Sequence, residues 1–566
     1  MINNRINTLV SKFKKYNIDG YIIPKNDEFF SEYAANDRLK TISNFSGSAG
    51  YSIILKNKNY LFVDGRYTIQ AKKEAGKNFQ IIDFHKIINC SLFKNLSIGF
   101  DPKFFTSIQI KKFFYKNNKV KSIESNLIDQ IHKRKVKLKK PFFSLNNKVV
   151  GENYKTKITK IRKYLNKNKS DYLFITAPEN VAWLLNIRGH DNPNTPIPNC
   201  QLIIDNKNNF YLITYKNKAS KLISEKKLKS EQIIEPKDFN EFILNLKGKK
   251  IIIDRNTCSI FFENLIKKKF KILKKEDPIY LLKSLKNKTE IKNMLKSHIS
   301  DGVALTKFLY WIKISNKKKI TELDAKNKLE KFRRLNKNYL YPSFDTIAGS
   351  GENGAIIHYH PTRSNNKIIK KDEIFLCDSG GQYKYGTTDV TRTICFSTPK
   401  DYVKKIFTLV LKGHIAVATN NLNKISKGNL IDKKARDPLN KFNLDYGHGT
   451  GHGVGFFSNV HEGPQSISKF NTLKLREGMI VSNEPGYYEE GKFGIRIENL
   501  IYVEKVKKKL IFKNLTYAPI DKDLIDLSLL NSHEKDYLLK YNLETYKNIS
   551  KFLKKDERKW LLNSIY

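Results

Sequence analysis

Cysteine is scarce in this 566-residue chain, with five in all: Cys90, Cys200, Cys258, Cys377 and Cys395. They are scattered, odd in number and form no C-x-x-C pair, which argues against a disulfide frame or zinc ribbon and for a reducing compartment. Long apolar runs are also missing. No stretch of 18 or more apolar residues offers a transmembrane helix. The N-terminal stretch MINNRINTLVSKFKKYNIDGYIIP lacks the continuous apolar core of a signal peptide, and its Ile6, Leu9, Val10 and Phe13 have helical spacing instead. The expectation is a cytoplasmic protein with no membrane contact. Acidic residues are few: 55 Asp and Glu face 105 Lys and Arg, a formal net charge of +50. Such a balance invites a polyanion partner. The basic residues are mostly Lys, however, spread among Asn and Ile over the whole chain, and no RNP-like or zinc-finger pattern accompanies them. They read as a solvated surface with no specific nucleic-acid role, leaving only weak, salt-sensitive adhesion to polyanions.

With 40% hydrophobic and 12% aromatic residues, the chain is long enough for several globular domains. Residues 1–145 open with a helix over about 3–16, then a strand GYIIP, a turn FSGSAG, and a strand pair YSIIL and YLFVDGRYT. The Lys-dense stretch His132–Pro141 reads as a linker. Residues 146–285 repeat the plan: an amphipathic helix with Ile158, Ile161 and Leu165, then DYLFITAP, VAWLLNIRG and the pair CQLIID and NFYLIT. This predicts two related α/β domains. The third unit, 286–566, opens with a helix over about 288–314. Short strands follow (SFDTIAG, AIIHYH, EIFLCDSGG, TRTICF, MIVSNEPG, IRIENLIYV), interrupted by a helix at 401–419 and closed by a helical extension over about 505–566. That is an α+β pattern with antiparallel strands.

The chemistry concentrates in the third unit. Asp378, Asp389, His452, Glu484 and Glu498 sit in apolar or Gly-rich frames: FLCDSGG, GTTDVTR, GTGHGVG, SNEPGYY and GIRIENL. A carboxylate in an apolar strand is costly to bury unless something positive meets it. Four of them converging would be neutralised by two divalent cations. Asp378 and Asp389 would share a face if two strands of a hairpin carry them through the GQYKYG turn. Strand alternation would put Arg496 and Glu498 on one face. Taken singly, each Asp or His is as readily a structural residue. Gly349, Gly351 and Gly354 match G-x-G-x-x-G, but a strand pattern rather than a helix follows, so a dinucleotide site is set aside. The glycines around His452 would let the backbone approach metals and substrate closely.

As an ordered set, HYHP, DSGGQYKYGTTDVTRT, GHGTGHGVG, NVHEGP, EPGYY and GIRIENL resemble the Xaa-Pro aminopeptidases, the aminopeptidase P branch of the pita-bread metallopeptidases. SEY, FSGSAG, DGRY and AWLLNIRG resemble the two creatinase-like domains of its long, three-domain form. The resemblance implies two metal ions, manganese by the hardness of the oxygen ligands, with cobalt, iron or zinc as substitutes. Asp378 would hold one ion, Asp389 and Glu498 would bridge both, and His452 and Glu484 would complete the second. A hydroxide bridging the ions would attack the scissile Xaa-Pro bond. His358, His448 and His461 would line the pocket and stabilise or shuttle protons at the tetrahedral intermediate. Arg496 would anchor a substrate carbonyl or, alternatively, serve as charge partner to the ligand carboxylates. The implied partners are peptides with an N-terminal Xaa-Pro and a second copy of the chain in a homodimer. Two alternatives stay open: a prolidase restricted to Xaa-Pro dipeptides, and a non-catalytic pita-bread protein that binds peptide or nucleic acid.

Overall fold

The computed structural model describes residues 2–88, 93–114, 118–132, 140–315, 319–565. Cys90 and most of the expected linker His132–Pro141 lie outside the described residues. The backbone divides into two compact units, Met1–Ile279 and Tyr280–Tyr566.

The first unit holds two six-stranded sheets. In one the order is Gln80–Asp83, Asn59–Val63, Tyr51–Leu55, Gly20–Pro24, Ser97–Phe100, Lys119–Ser122. In the other it is Ile233–Ile234, Phe210–Ile213, Gln201–Asp205, Tyr172–Ile175, Lys250–Ile253, Lys271–Lys274. Numbered by occurrence within each sheet, both read 4-3-2-1-5-6. The pairing sense also matches at every step: two antiparallel contacts in the middle, parallel ones outside. The repeat expected from the sequence is therefore a repeat of topology. The opening helix is interrupted once, as Ile2–Ser11 and Phe13–Tyr16, and Ile6, Leu9 and Phe13 are buried as their spacing predicts.

In the second unit every strand pair among the described residues is antiparallel. The long helix Lys288–Ser315 packs on the helix Glu322–Arg334, which begins at a capping box between Thr321 and Asp324. Leu305, Phe308, Leu309 and Ile312 from the first, and Ala325 and Leu329 from the second, join Phe375, Cys377, Val390 and Ile394 in one core. Strand alternation then decides what faces the other way. With Phe375 and Cys377 turned to that core, Asp378 faces away, opposite Thr391 in the register. Buried Asp301 and Arg333 lock this arrangement: Arg333 Nε donates to Asp301 Oδ1 at 2.7 Å and its NH2 donates to Ser379 Oγ at 3.0 Å.

Three expectations are corrected here. The helical extension does not begin near 505: Lys509–Asn514 is a strand paired with Asn499–Val506, and the next α-helix is Ser532–Ile549. The segment AIIHYH is not a strand. Gly351–Ala355 forms a 3-10 turn and the chain continues irregularly, because the buried Glu322 carboxylate draws in Asn353 Nδ2 at 3.0 Å and the Tyr359 hydroxyl at 2.7 Å. No α-helix follows the glycines, so a dinucleotide-binding turn is absent all the same. Glu498 is not in a strand shared with Arg496; it lies between Phe493–Arg496 and Asn499–Val506.

Candidate metal centre

Five segments supply the expected ligands, Glu498 coming from the link between Phe493–Arg496 and Asn499–Val506. Asp378 stands on the strand Phe375–Ser379, and Asp389 immediately precedes the strand Val390–Ile394 paired with it. The intervening GQYKYG forms its own small hairpin, Gly381–Tyr383 with Gly386–Thr387. His452 is the centre of the short strand Gly451–Gly453, and Glu484 follows the strand Ile480–Asn483 beside it. Ligand atoms of Asp389, His452 and Glu498 all lie within 4.8 Å of one another. His452 Nε2 is 3.4 Å from Asp389 Oδ2 and 3.5 Å from Glu484 Oε1. Asp378, Asp389 and Glu498 are buried, whereas His452 and Glu484 are half-buried.

The electrostatics are those of a site built for more positive charge than the protein supplies. Burial, then repulsion from Asp378 and Glu484, pushes Asp389 well above the usual carboxylate range. Glu498 is raised by burial and by Asp389, and Glu484 by burial against the opposing pull of His452 and Arg496. Ligand oxygens of Asp389 and Glu498 lie within 4.8 Å of each other, so two negative charges there call for a proton or a cation between them. Asp378 Oδ1 is buried without a hydrogen-bond partner. An orphaned buried carboxylate oxygen beside two crowded carboxylates fits divalent cations with oxygen and imidazole ligands. A second group of potential ligands, Cys395, Asp521 and Asp523, is already served by a cation: Lys313 Nζ lies 2.7 Å from Asp521 and 2.8 Å from Asp523.

Arg496 is buried and turned inward. It donates to Asp378 Oδ2 at 2.6 Å, to Thr391 Oγ1 at 3.1 Å, to the Tyr488 hydroxyl at 2.5 Å and to the Ile357 carbonyl at 3.4 Å. With its donors directed at these acceptors, the geometry favours charge partner to the carboxylates over anchor for a substrate carbonyl. Thr391 passes the contact on, donating to Glu498 Oε2 at 2.8 Å. His448 Nε2 meets the Tyr488 hydroxyl at 2.9 Å, so Tyr488 links His448 to Arg496. The His461 ring lies edge-on to His452 with centroids 4.3 Å apart. His358 is half-buried in the turn after Ile357, whose carbonyl meets Arg496.

Sequence reasoning missed Thr391 and Tyr488. Thr391 was findable: it lies two residues after Asp389, on the same face by alternation. Tyr488 carried no signal beyond its place after EPG. At the glycines flanking His452, a Cβ on Gly451 would lie 1.9 Å from the Ser482 carbonyl, and one on Gly453 2.2 Å from that of Glu462. They admit neighbouring strands. The loop before them is held by Arg436, which pairs with Asp432 and donates to the His448 carbonyl at 2.6 Å.

Residues 292–505 match the metallopeptidase family M24, 508–565 the C-terminal region of peptidase M24, and 5–130 and 133–290 each match a creatinase/prolidase N-terminal domain. A probable Xaa-Pro aminopeptidase P from Laccaria bicolor is 38% identical over 98% of this chain and 92% of its own. One from Neurospora crassa is 36% identical over 99% and 88%. The crystal structure of X-prolyl aminopeptidase from Caenorhabditis elegans, described as a cytosolic enzyme with a di-nuclear active site, superposes with a TM-score of 0.92 at 29% identity, covering 100% of this chain and 99% of that one. The prolidase from Pyrococcus horikoshii covers 64% of this chain at a TM-score of 0.52 and 25% identity. On its ligand set, its doubled N-terminal sheet and these full-length likenesses, the chain belongs to the M24 metallopeptidases, in the Xaa-Pro aminopeptidase P family whose pita-bread domain follows two creatinase-type domains.

Proposed function

We propose that this chain is a metal-dependent aminopeptidase that removes the first residue from peptides with proline second. The observation that carries this is the meeting of Asp389, His452 and Glu498 within 4.8 Å, beside the unpartnered oxygen of Asp378. Asp378, Asp389, His452, Glu484 and Glu498 would hold two divalent ions. Manganese suits the four hard carboxylates. When bound, the ions would lower the pKa of a water molecule and offset the charge that develops on the scissile carbonyl oxygen.

The chain's own side chains supply the rest. Arg496 holds Asp378 in place through its contact at 2.6 Å. Thr391 does the same for Glu498 at 2.8 Å. His461 and His448 present imidazoles that stabilise the tetrahedral species or carry the proton to the departing proline nitrogen, and His358 completes the wall. An Xaa-Pro bond has no N–H to offer, so recognition falls to the ring and the free amino group. Three segments, 1–145, 146–285 and 286–566, are assigned to the two N-terminal domains and the catalytic domain. A cytoplasmic homodimer is the expected form. The cytosolic description of the Caenorhabditis elegans enzyme and the free, buried Cys200, Cys258, Cys377 and Cys395 support that location.

The test is release of arginine from Arg-Pro-Pro. Turnover is expected with manganese, to vanish with a chelator and to return with the metal. No release from the manganese-loaded chain would overturn the reading, and activity on Arg-Pro alone would make it a prolidase.

A further inference from the structure

Behind the pocket lies a buried charge cluster that none of the assigned roles uses. Lys283 Nζ donates to Glu462 Oε2 at 3.1 Å and Lys286 Nζ donates to Oε1. The three side chains are 3%, 1% and 2% exposed. Two ammonium groups meet one carboxylate out of water, and the buried Glu290 carboxylate also acts on Lys286. Burial pushes the Lys286 ammonium down, with Glu462 opposing. Apolar side chains of similar volume would hold the fold as well or better, because desolvating the ions costs most of what their attraction returns. The cluster is therefore expensive for stability alone, and its location points to geometry.

Glu462 directly follows His461 and opens the strand Glu462–Ile467. Glu462 enters the lysines, while His461, in the bend just before the strand, lies against His452. The ladder does not fix this end by itself. His452 pairs with Ser466 and Gly453 with Glu462, with a register shift between them. The excursion Gly453–Val460 is pinned at its tip, where Gln382 Nε2 donates to the Ser458 carbonyl at 2.9 Å and Ser458 N donates to Thr387 Oγ1 at 3.1 Å. Its return is gripped by the Glu462 carboxylate. Gly455 leaves that carboxylate room: a Cβ there would lie 3.1 Å from Glu462 Oε2 and 2.7 Å from Ser458 Cβ. Lys286 is itself fixed, its backbone N donating to the Gly478 carbonyl at 3.0 Å, just ahead of the helix Lys288–Ser315 that Asp301 and Arg333 tie to the Asp378 strand.

We propose that Lys283 and Lys286 act through Glu462 as positioning residues that hold the His461 imidazole against His452 in the pocket. The proposal rests on the peptidase reading above, and its test has one readout that does not. The variants are Glu462→Gln, Lys283→Met (which leaves a neutral Lys286–Glu462 pair) and the conservative Lys283→Arg. With Arg-Pro-Pro and two manganese ions bound per chain, Lys283→Met and Glu462→Gln are expected to lower kcat roughly tenfold to a hundredfold, as a misplaced catalytic group does. KM should move less than about twofold, since ground-state binding is not the interaction removed. Lys283→Arg should recover most of the rate. Independently, carbethoxylation of His461 in the metal-free chain, mapped by mass spectrometry, should accelerate in the two disruptive variants while His358 keeps its rate. An inactive wild type would sink the peptidase reading and leave the labelling to decide the clamp. Unchanged kcat per folded chain, unchanged labelling of His461, or failure of both disruptive variants to fold would each assign the cluster to stability and overturn the positioning role.

Discussion

Asp389 and Glu498 are buried side by side with their pKa values raised, and this sets a pH dependence for the metal-free chain. A carboxyl group with a raised folded-state pKa binds its proton more tightly when folded, so unfolding releases protons once pH exceeds the unfolded value near 4. Stability then falls as pH rises through the folded values. The thermal midpoint of the chelated chain is expected to drop from pH 5 to pH 8, and manganese to raise it more at pH 8. Asp389→Ala should flatten both trends in calorimetry, fold, and lose nearly all turnover of Arg-Pro-Pro. A variant that kept most of its rate would remove Asp389 from the proposed ligand set. At this scale the sequence was informative where a charged residue interrupted an apolar frame, as in FLCDSGG. It was silent about Tyr488, since a tyrosine in a short strand is unremarkable until Arg496 and His448 arrive from other segments to meet its hydroxyl.

The strands around His452 are spaced by glycine. Gly451→Ala would drive a methyl group into the Ser482 carbonyl. Urea unfolding should show a loss of roughly 2 kcal/mol, the usual scale for overpacking. Metal affinity should fall with it, because Ser482 Oγ accepts from His452 N at 2.9 Å and donates to Glu484 Oε1 at 3.0 Å. Wild-type stability and affinity in this variant would mean the strands can separate freely. Helices were the most legible elements, since Lys288–Ser315 and Asp401–Ala418 carry a sustained 3.6 period. The segment after Gly354 misled for a physical reason. Its apolar residues have strand-like character, but Glu322, remote in sequence, gathers Ser350 N, Asn353 and Tyr359 around one carboxylate and bends the backbone into turns.

Across the whole molecule the +50 charge is the largest unassigned quantity. Spread lysines attract polyanions through counterion release, which is steeply salt-dependent. Binding to a random DNA duplex, followed by fluorescence anisotropy, should therefore disappear between about 50 mM and 200 mM salt, with peptidase rates little changed. Binding that survives the higher salt would indicate a specific nucleic-acid site. The two N-terminal sheets share one strand order and one pairing sense, and their helix, strand and strand-pair rhythm was visible in the chain because it recurs in sequence order. The sequence by itself determined most kinds of element, the antiparallel character of the catalytic unit and the order of the candidate ligand types, because each depends on local periodicity or on a charged side chain in an apolar frame. Only the tertiary structure decided which carboxylates crowd together, that Arg496 faces Asp378, that glycine admits the neighbouring strands, and that Lys283 and Lys286 close on Glu462. Those contacts join residues far apart in the chain, and no local propensity encodes their meeting.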